Sequence, residues 1–171
     1  MTTSPTVTVR PVDYADPREA QALVALLDSY ASDPTGGGTP LRDEVKTQLA
    51  EALRQRPHAF SVMAWAQAGE GAPEQAVGLV NCFEGFSTFA CRPLVNIHDV
   101  AVLPGWRGQR VAQKMFALVE ELARQRGACK LTLEVLEGNT PAMRAYEREG
   151  FAGYALDPAM GQAQFLQKLL D

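Results

Sequence analysis

The chain is poor in the residues that build metal centres and disulfide frameworks. Its 171 residues include three cysteines, Cys82, Cys91 and Cys129, and two histidines, His58 and His98. The cysteines are odd in number and widely spaced, and no CxxC occurs. Neither histidine stands beside a cysteine at metal-ligand spacing, so a disulfide framework is not indicated and a metal site is not expected. No apolar run approaches the roughly 18 residues of a membrane helix, and MTTSPTVTVR has no apolar core of signal-peptide length. A basic surplus is also missing. The net charge is −4 and the sequence pI is about 5.2, which does not suit a nucleic-acid binder. GxGxxG and GK[ST] do not occur, which leaves out the dinucleotide fingerprint and the P-loop. Repeats and low-complexity tails are absent. The expectation is a soluble cytoplasmic protein with reduced thiols.

What is present suits one domain over 1–171, since 46% of the residues are hydrophobic. TVTVRPV alternates as a strand. Asp16, Pro17 and Glu19 read as N-cap, first helical position and capping-box partner, with Leu23, Leu26, Leu27 and Tyr30 at helical spacing behind them. After DPTGGGTP a second helix is expected from Thr39-Pro40, with Leu41, Val45, Leu49 and Leu53 on one stripe. AFSVMAWAQ and AVGLVNCFEGF read as strands around a polar Gly/Pro hairpin loop, and LVNIHDVAVL as a third. A helix with Val111, Met115, Leu118, Val119 and Leu122 on its buried stripe follows, ending at Gly127. CKLTLEVLE is another strand. Thr140 is a candidate cap for a helix that ends at Gly150. Residues 151–156 and 162–170 read as two closing strands, the last equally as a short helix. The order β-α-α-β-β-β-α-β-α-β-β argues a mixed sheet with helices packed on it, not a doubly wound parallel sheet.

The densest chemistry lies in LPGWRGQRVAQK, between the third central strand and its helix. Free N–H groups and the macrodipole at a helix start favour an anion, Gly108 lets backbone come close, and Arg107 and Arg110 add charge. Taken alone, the stretch reads equally as a glycine turn with two solvated arginines. In context, VAVLPGWRGQRVAQKMF (100–116) and then NTPAMRAYEREGF (139–151) resemble the GNAT superfamily of acetyl-CoA-dependent N-acetyltransferases. The first segment is similar to that family's acyl-CoA motif, [QR]-x-x-G-x-[GA]. Arg107 and Ala112 match its ends, while Arg110 stands where the motif has glycine. Arg110 still offers a backbone N–H, so the diphosphate cradle survives if the backbone stays helical there. The second segment matches the family's Asn, its Tyr seven residues on, and its Gly-Phe.

The resemblance implies an α/β fold of mixed α+β type. It has a mostly antiparallel sheet of about seven strands, about four helices, and splayed parallel strands that form the CoA cleft. Here those strands are 94–103 and 129–136, and a bulge commonly opens the gap. It implies acetyl-CoA as co-substrate, with pantetheine pairing along Val100, Ala101 and Val102. Arg107, Gly108, Gln109, Arg110, Val111, Ala112 and Gln113 surround the diphosphate, and Asn139 lies nearer the pantetheine. Tyr146 matches the general-acid position; the other reading is a helix tyrosine packed on the sheet. Asn139 reads equally as a turn residue.

The base is sought beside this motif. Polyamine-acetylating relatives often carry Glu-Asp where this chain has His98-Asp99. Strand alternation puts these two on opposite faces. Imidazole is the side chain that titrates nearest neutral pH, so His98 is the candidate base, acting through a water; a plain strand histidine is the alternative. Glu84 and Glu134 are reserves. SDPTGGGTPL reads as a lid over the acceptor or as a surface linker. Phe83, Phe86 and Phe89 wall the acceptor pocket or belong to core or interface. The expected acceptor is a small-molecule amine. Protein acetylation, a non-catalytic acyl-CoA sensor and a Cys82–His98 hydrolase are the alternatives. A homodimer, common in the family, is an expected partner arrangement, with FSTFACRP as an apolar contact.

Overall fold

The computed structural model describes residues 5–154, 156–161 and 163–170. They form two compact units, one ending at Glu134 and one beginning at Val135. The first unit holds β1 (Thr6–Pro11), α1 (Pro17–Ser32), α2 (Asp43–Arg54), β2 (Ala59–Gln67), β3 (Glu74–Ser87), β4 (Arg92–Val102), α3 (Val111–Gln125) and β5 (Leu131–Leu133). The sheet order is β1-β2-β3-β4-β5. The first three pairings are antiparallel and β4–β5 is parallel. The mixed, mostly antiparallel sheet therefore stands, with five strands among the described residues and not about seven.

Helix α1 starts as its sequence asks. The Asp16 carboxylate accepts from the Arg18 and Glu19 N–H groups, as an N-cap does. Glu19 does not close a capping box. It accepts instead from the Asp13 N–H at 2.8 Å and from Arg10 Nε at 3.2 Å, which ties the entry loop to β1. Helix α2 begins at Asp43, three residues after Pro40, because the Leu41 N–H is held by Asp28 Oδ1 at 2.8 Å and the segment runs extended to Arg42. Leu23, Leu26 and Leu53 pack with Met63, Trp65, Leu79 and Ala101 to form the core on this face.

Helix α3 covers the other face. Val111, Met115, Phe116, Val119 and Ala123 are its buried positions; Leu118 and Leu122 are half-buried, and Phe116 and Ala123 take the deeper places. Gly78 makes this packing possible. A Cβ there would lie 2.9 Å from Met115 Cε and 3.1 Å from Val111 Cγ1. The helix ends at Gly127, which has φ +74 while the Ala128 N–H reaches back to the Ala123 carbonyl.

The second unit contains α4 (Thr140–Arg148). Its N-cap is Asn139, whose Oδ1 accepts from the Ala142 N–H at 3.4 Å, so Thr140 is the first helical residue and not the cap. The two expected closing strands do not pair among the described residues, where 158–160 form a single 3-10 turn; Ala155 and Gln162 lie outside those residues. Leu156, Phe165, Leu166, Leu169 and Leu170 are exposed. The apolar periodicity that suggested strands here is not matched by a ladder. No helix of the described residues is long and apolar enough to cross a membrane.

Candidate active site

Strand β4 carries a bulge where the chemistry was sought. Asn81 pairs with Asp99 and Cys82 with Ile97, so His98 is the extra residue. A bulge shifts the phase of the pleat. His98 meets Phe83 edge-on, with ring centroids 5.4 Å apart, and Asp99 accepts from Asn81 Nδ2 at 3.0 Å. Asn81 and Phe83 are two apart on β3 and share a face. His98 and Asp99 therefore address one face, that of α1 and α2, and not opposite faces as simple alternation implied.

The bulge also sorts the backbone of β4. The Leu103 N–H bonds to the Val77 carbonyl. Alternation along an antiparallel ladder then turns the N–H and C=O of Ala101 toward β3, and those of Val100 and Val102 toward the opposite edge. That edge is the one β5 uses farther back, where the Val95 N–H reaches the Lys130 carbonyl. The parallel ladder stops at Ile97–Leu133, while β4 runs on to Val102, as splayed strands require. Of the three residues expected to pair with pantetheine, Val100 turns both groups outward, Val102 turns out its N–H while its carbonyl accepts from Arg107 Nε, and Ala101 faces β3.

The turn into α3 follows directly. Gly108 has φ +76 and Arg110 has φ +61. The backbone at Arg110 is left-handed and not helical, so the first helical residue is Val111. A glycine is at ease in that conformation, whereas an L side chain costs roughly 1–2 kcal/mol there. Arg110 is the N-cap residue of α3 but supplies no side-chain bond to the helix start. The N–H groups of Val111, Ala112 and Gln113 belong to the first turn, which gives them no carbonyl. They point with the positive end of the macrodipole, an arrangement ready for an anion.

Arg107 is committed elsewhere. Its Nε donates to the Val102 carbonyl at 3.0 Å and its Nη2 to Asp33 Oδ2 at 2.9 Å. Asp33 also accepts from the Thr35 N–H and hydroxyl. Those two bonds, and then the guanidinium, hold its carboxyl well below the usual carboxylate range. The Gly36 and Gly38 N–H groups bond to the Asp33 carbonyl, and the Thr39 N–H to that of Ala31. The glycine-rich loop is thus pinned to the turn into α3 through one ion pair.

Between them lies a cavity of ≈ 180 Å³, lined among others by Tyr30, Asp33, Ala101, Leu103 and Arg107. Tyr30 has its pKa raised, first by burial and then by the charges of Asp99 and Asp33. It links the cavity electrostatically to the bulge.

Glu84 is paired with Arg126 at 3.3 Å and with His58 at 3.5 Å. Phe83 packs against the core beside α1, while Phe86 and Phe89 are exposed near the β3–β4 turn. The Cys82 thiol is pushed up to about 12 by burial. It alternates to the α3 side of β3, away from His98, so the hydrolase arrangement is not present. In the second unit, Tyr146 lies on α4 with its ring 6.1 Å from that of Phe151.

Sequence reading missed Asp33, Ser61 and Asn81. Asp33 was hidden in what looked like a linker. Ser61 and Asn81 had a signal, each being a lone polar residue inside an apolar strand.

A strand edge with outward backbone groups, running straight into a helix start with free N–H groups, is the construction of an acyl-CoA-binding transferase fold. The sequence model of the Acetyltransferase (GNAT) family matches residues 23–151, and the chain belongs to that family. It is 39% identical over 90 residues to the streptothricin acetyltransferase of Streptomyces lavendulae, a match covering 51% of this chain and 48% of that protein. The chain thus spans about half the length of that relative. It is 32% identical over 117 residues to the thialysine N-epsilon-acetyltransferase of Bos taurus, covering 64% of this chain and 68% of that one. Among solved structures, the aminoglycoside N-acetyltransferase AAC(6')-Iy in complex with CoA superposes with a TM-score of 0.73 at 18% identity, over 98% of each chain.

Proposed function

We propose that the protein is an N-acetyltransferase that moves the acetyl group of acetyl-CoA to a primary amine of a small-molecule acceptor. The observation that carries this reading is the continuity of the outward β4 edge at Val100 and Val102 with the uncapped start of α3. The edge suits the amide groups of a pantetheine arm, and the helix start suits its diphosphate. Acetyl-CoA would bring an activated thioester. The matched residues run across Glu134, so we take both units as one acetyltransferase domain. Exposed Cys91 as a free thiol suits a cytoplasmic setting.

The small-molecule acceptor rests on the relatives' names and on local charge. The charges of Asp99 and Asp33 both act on Tyr30, which favours a cationic amine. The fold alone does not choose the acceptor, since a ribosomal-protein-alanine N-acetyltransferase from Brucella melitensis shares it with a TM-score of 0.68 at 19% identity, over 96% of this chain and 100% of that one.

An alkyl ammonium has a pKa of about 10, so the nucleophile must lose a proton before attack. His98 takes that proton through a water, which frees the nitrogen lone pair for the thioester carbon. Val100 and Val102 hold the acyl donor straight. The N–H groups of Val111, Ala112 and Gln113 hold its anionic end, with Gly108, Gln109 and Arg110 shaping the turn. Arg107 braces the turn against Asp33. Asn139 caps α4, which carries Tyr146. By the family resemblance, Tyr146 would hydrogen-bond sulfur as the carbon–sulfur bond breaks and its electron pair leaves with sulfur. A thiol's pKa of about 8.5 lies below a phenol's of about 10, so orientation matters more here than proton transfer.

Calorimetric titration with acetyl-CoA tests the reading, followed by thiol release with streptothricin, thialysine and aminomethylphosphonate. Wild type should bind and turn over at least one amine. Gly108→Asp, which sets a negative charge and a strained φ in the turn, should abolish binding. No binding of acetyl-CoA by the wild type overturns the reading.

A further inference from the structure

Among the described residues, two polar side chains are buried in the core, Ser61 at 1% exposure and Asn81 at 3%. Such burial is costly unless every group is bonded. Both belong to one chain of hydrogen bonds. Tyr14 Oη lies 2.8 Å from Ser61 Oγ, Ser61 Oγ is 2.6 Å from Asn81 Oδ1, and Asn81 Nδ2 is 3.0 Å from Asp99 Oδ2.

The direction of this chain is fixed from its Asp99 end. A carboxylate only accepts, so the Asn81 amide nitrogen must face it. The amide oxygen then faces Ser61, which must donate its one hydroxyl hydrogen. Ser61 has none left for Tyr14, so Tyr14 donates. Burial raises the Tyr14 pKa and keeps it a donor. Every donor therefore points toward Asp99, and aligned bonds of this kind reinforce one another. The neighbouring core positions Met63, Leu79 and Ala101 are apolar.

We propose that Tyr14, Ser61 and Asn81 are positioning residues that fix the Asp99 carboxylate as an oriented anion, and that Asp99 takes the ammonium group of the acceptor. This rests on the acetyltransferase reading. Asp99 adjoins the bulge residue His98 on the α1 face, and its charge reaches Tyr30 at the cavity. The acceptor nitrogen is thereby placed beside the proposed base while still charged.

The test is a double-mutant cycle on kcat/KM, using whichever of the three amines the wild type turns over fastest. Asn81→Leu should lower kcat/KM for the amine about 10- to 100-fold, the scale of a hydrogen bond to a charged group. Tyr14→Phe, which keeps the ring and is the safer variant for folding, should lower it about two- to fivefold. Asp99→Asn should lower it at least as much as Asn81→Leu. All three should leave the KM for acetyl-CoA unchanged. In the Asp99→Asn background, neither Asn81→Leu nor Tyr14→Phe should cost anything further. A merely structural role would lower activity equally in both backgrounds and would move both KM values, and that result overturns the proposal alone. A wild type that acetylates none of the amines overturns the acetyltransferase reading and this inference with it.

Discussion

Under α3, strands β3 and β4 present Val80, Cys82, Val95 and Ile97, and the helix answers with Val111, Met115, Phe116 and Val119, all buried. Toward α1 and α2 the same two strands present Asn81, Phe83, Asp99 and Ala101, backed by Ser61 and Tyr14. One face is closed by volume alone. The other spends buried space on three polar groups that bond in series to one carboxylate. A sheet can thus keep its stability on one side and its chemistry on the other, and the two sides should respond differently to the same kind of damage.

The largest effect should come from the apolar side. Phe116→Ala should lower the unfolding free energy by about 3–5 kcal/mol, read by urea denaturation. Activity per folded molecule should hold, because no site residue is touched. On the polar side, Ser61→Ala should cost about 1–3 kcal/mol, since it strands the Asn81 oxygen and the Tyr14 hydroxyl together. Adding Tyr14→Phe to that variant should cost less than Tyr14→Phe alone, because the hydroxyl removed is already unpaired. Additive costs in denaturation would mean that these groups do not act in series.

The start of α3 is the exception on the apolar side, and Arg110→Gly should relieve it. Removing a left-handed L residue should raise the melting temperature by about 2–4 °C, the equivalent of about 1 kcal/mol at this chain length.

A further effect concerns pH. The Cys82 thiol is raised to about 12 in the fold by burial, while an unfolded thiol loses its proton near 8.5. Between those values the unfolded chain binds fewer protons, so stability is complete below about pH 8.5 and falls as pH rises toward 12. Tyr14 and Tyr30, also raised by burial, add to the fall above about pH 10. Melting temperatures measured from pH 8 to 10 should decline less steeply for Cys82→Ala than for the wild type.

Much of this was legible from residues that obey local rules. Asp16-Pro17 starts α1, Gly127 and Gly150 stop their helices, and Gly108 marked the turn into α3. The rest depends on contacts far apart in sequence. Arg107 looked like a phosphate ligand because nothing local shows that Asp33 would claim it. His98 and Asp99 were set on opposite faces because a bulge leaves no composition signal. Glu19 was given to the wrong N–H because the local capping rule competes with Asp13 and Arg10. Residues 151–170 have strand-like composition, but composition does not supply a partner edge.

The bulge at His98 makes the length of β4 as informative as its letters. Upstream, the odd-numbered Val95 and Ile97 lie beneath α3; downstream, the odd-numbered Asp99 and Ala101 look toward α1. One added residue reverses the parity between them. The fold should therefore tolerate many replacements at position 98, though the proposed base chemistry should not, and the fold should tolerate no deletion there. A β4 one residue shorter would have to bring either the carboxylate under the apolar helix or the valine and isoleucine into the polar face. Strand length here behaves like a reading frame, and the frame decides which side of the sheet carries the chemistry.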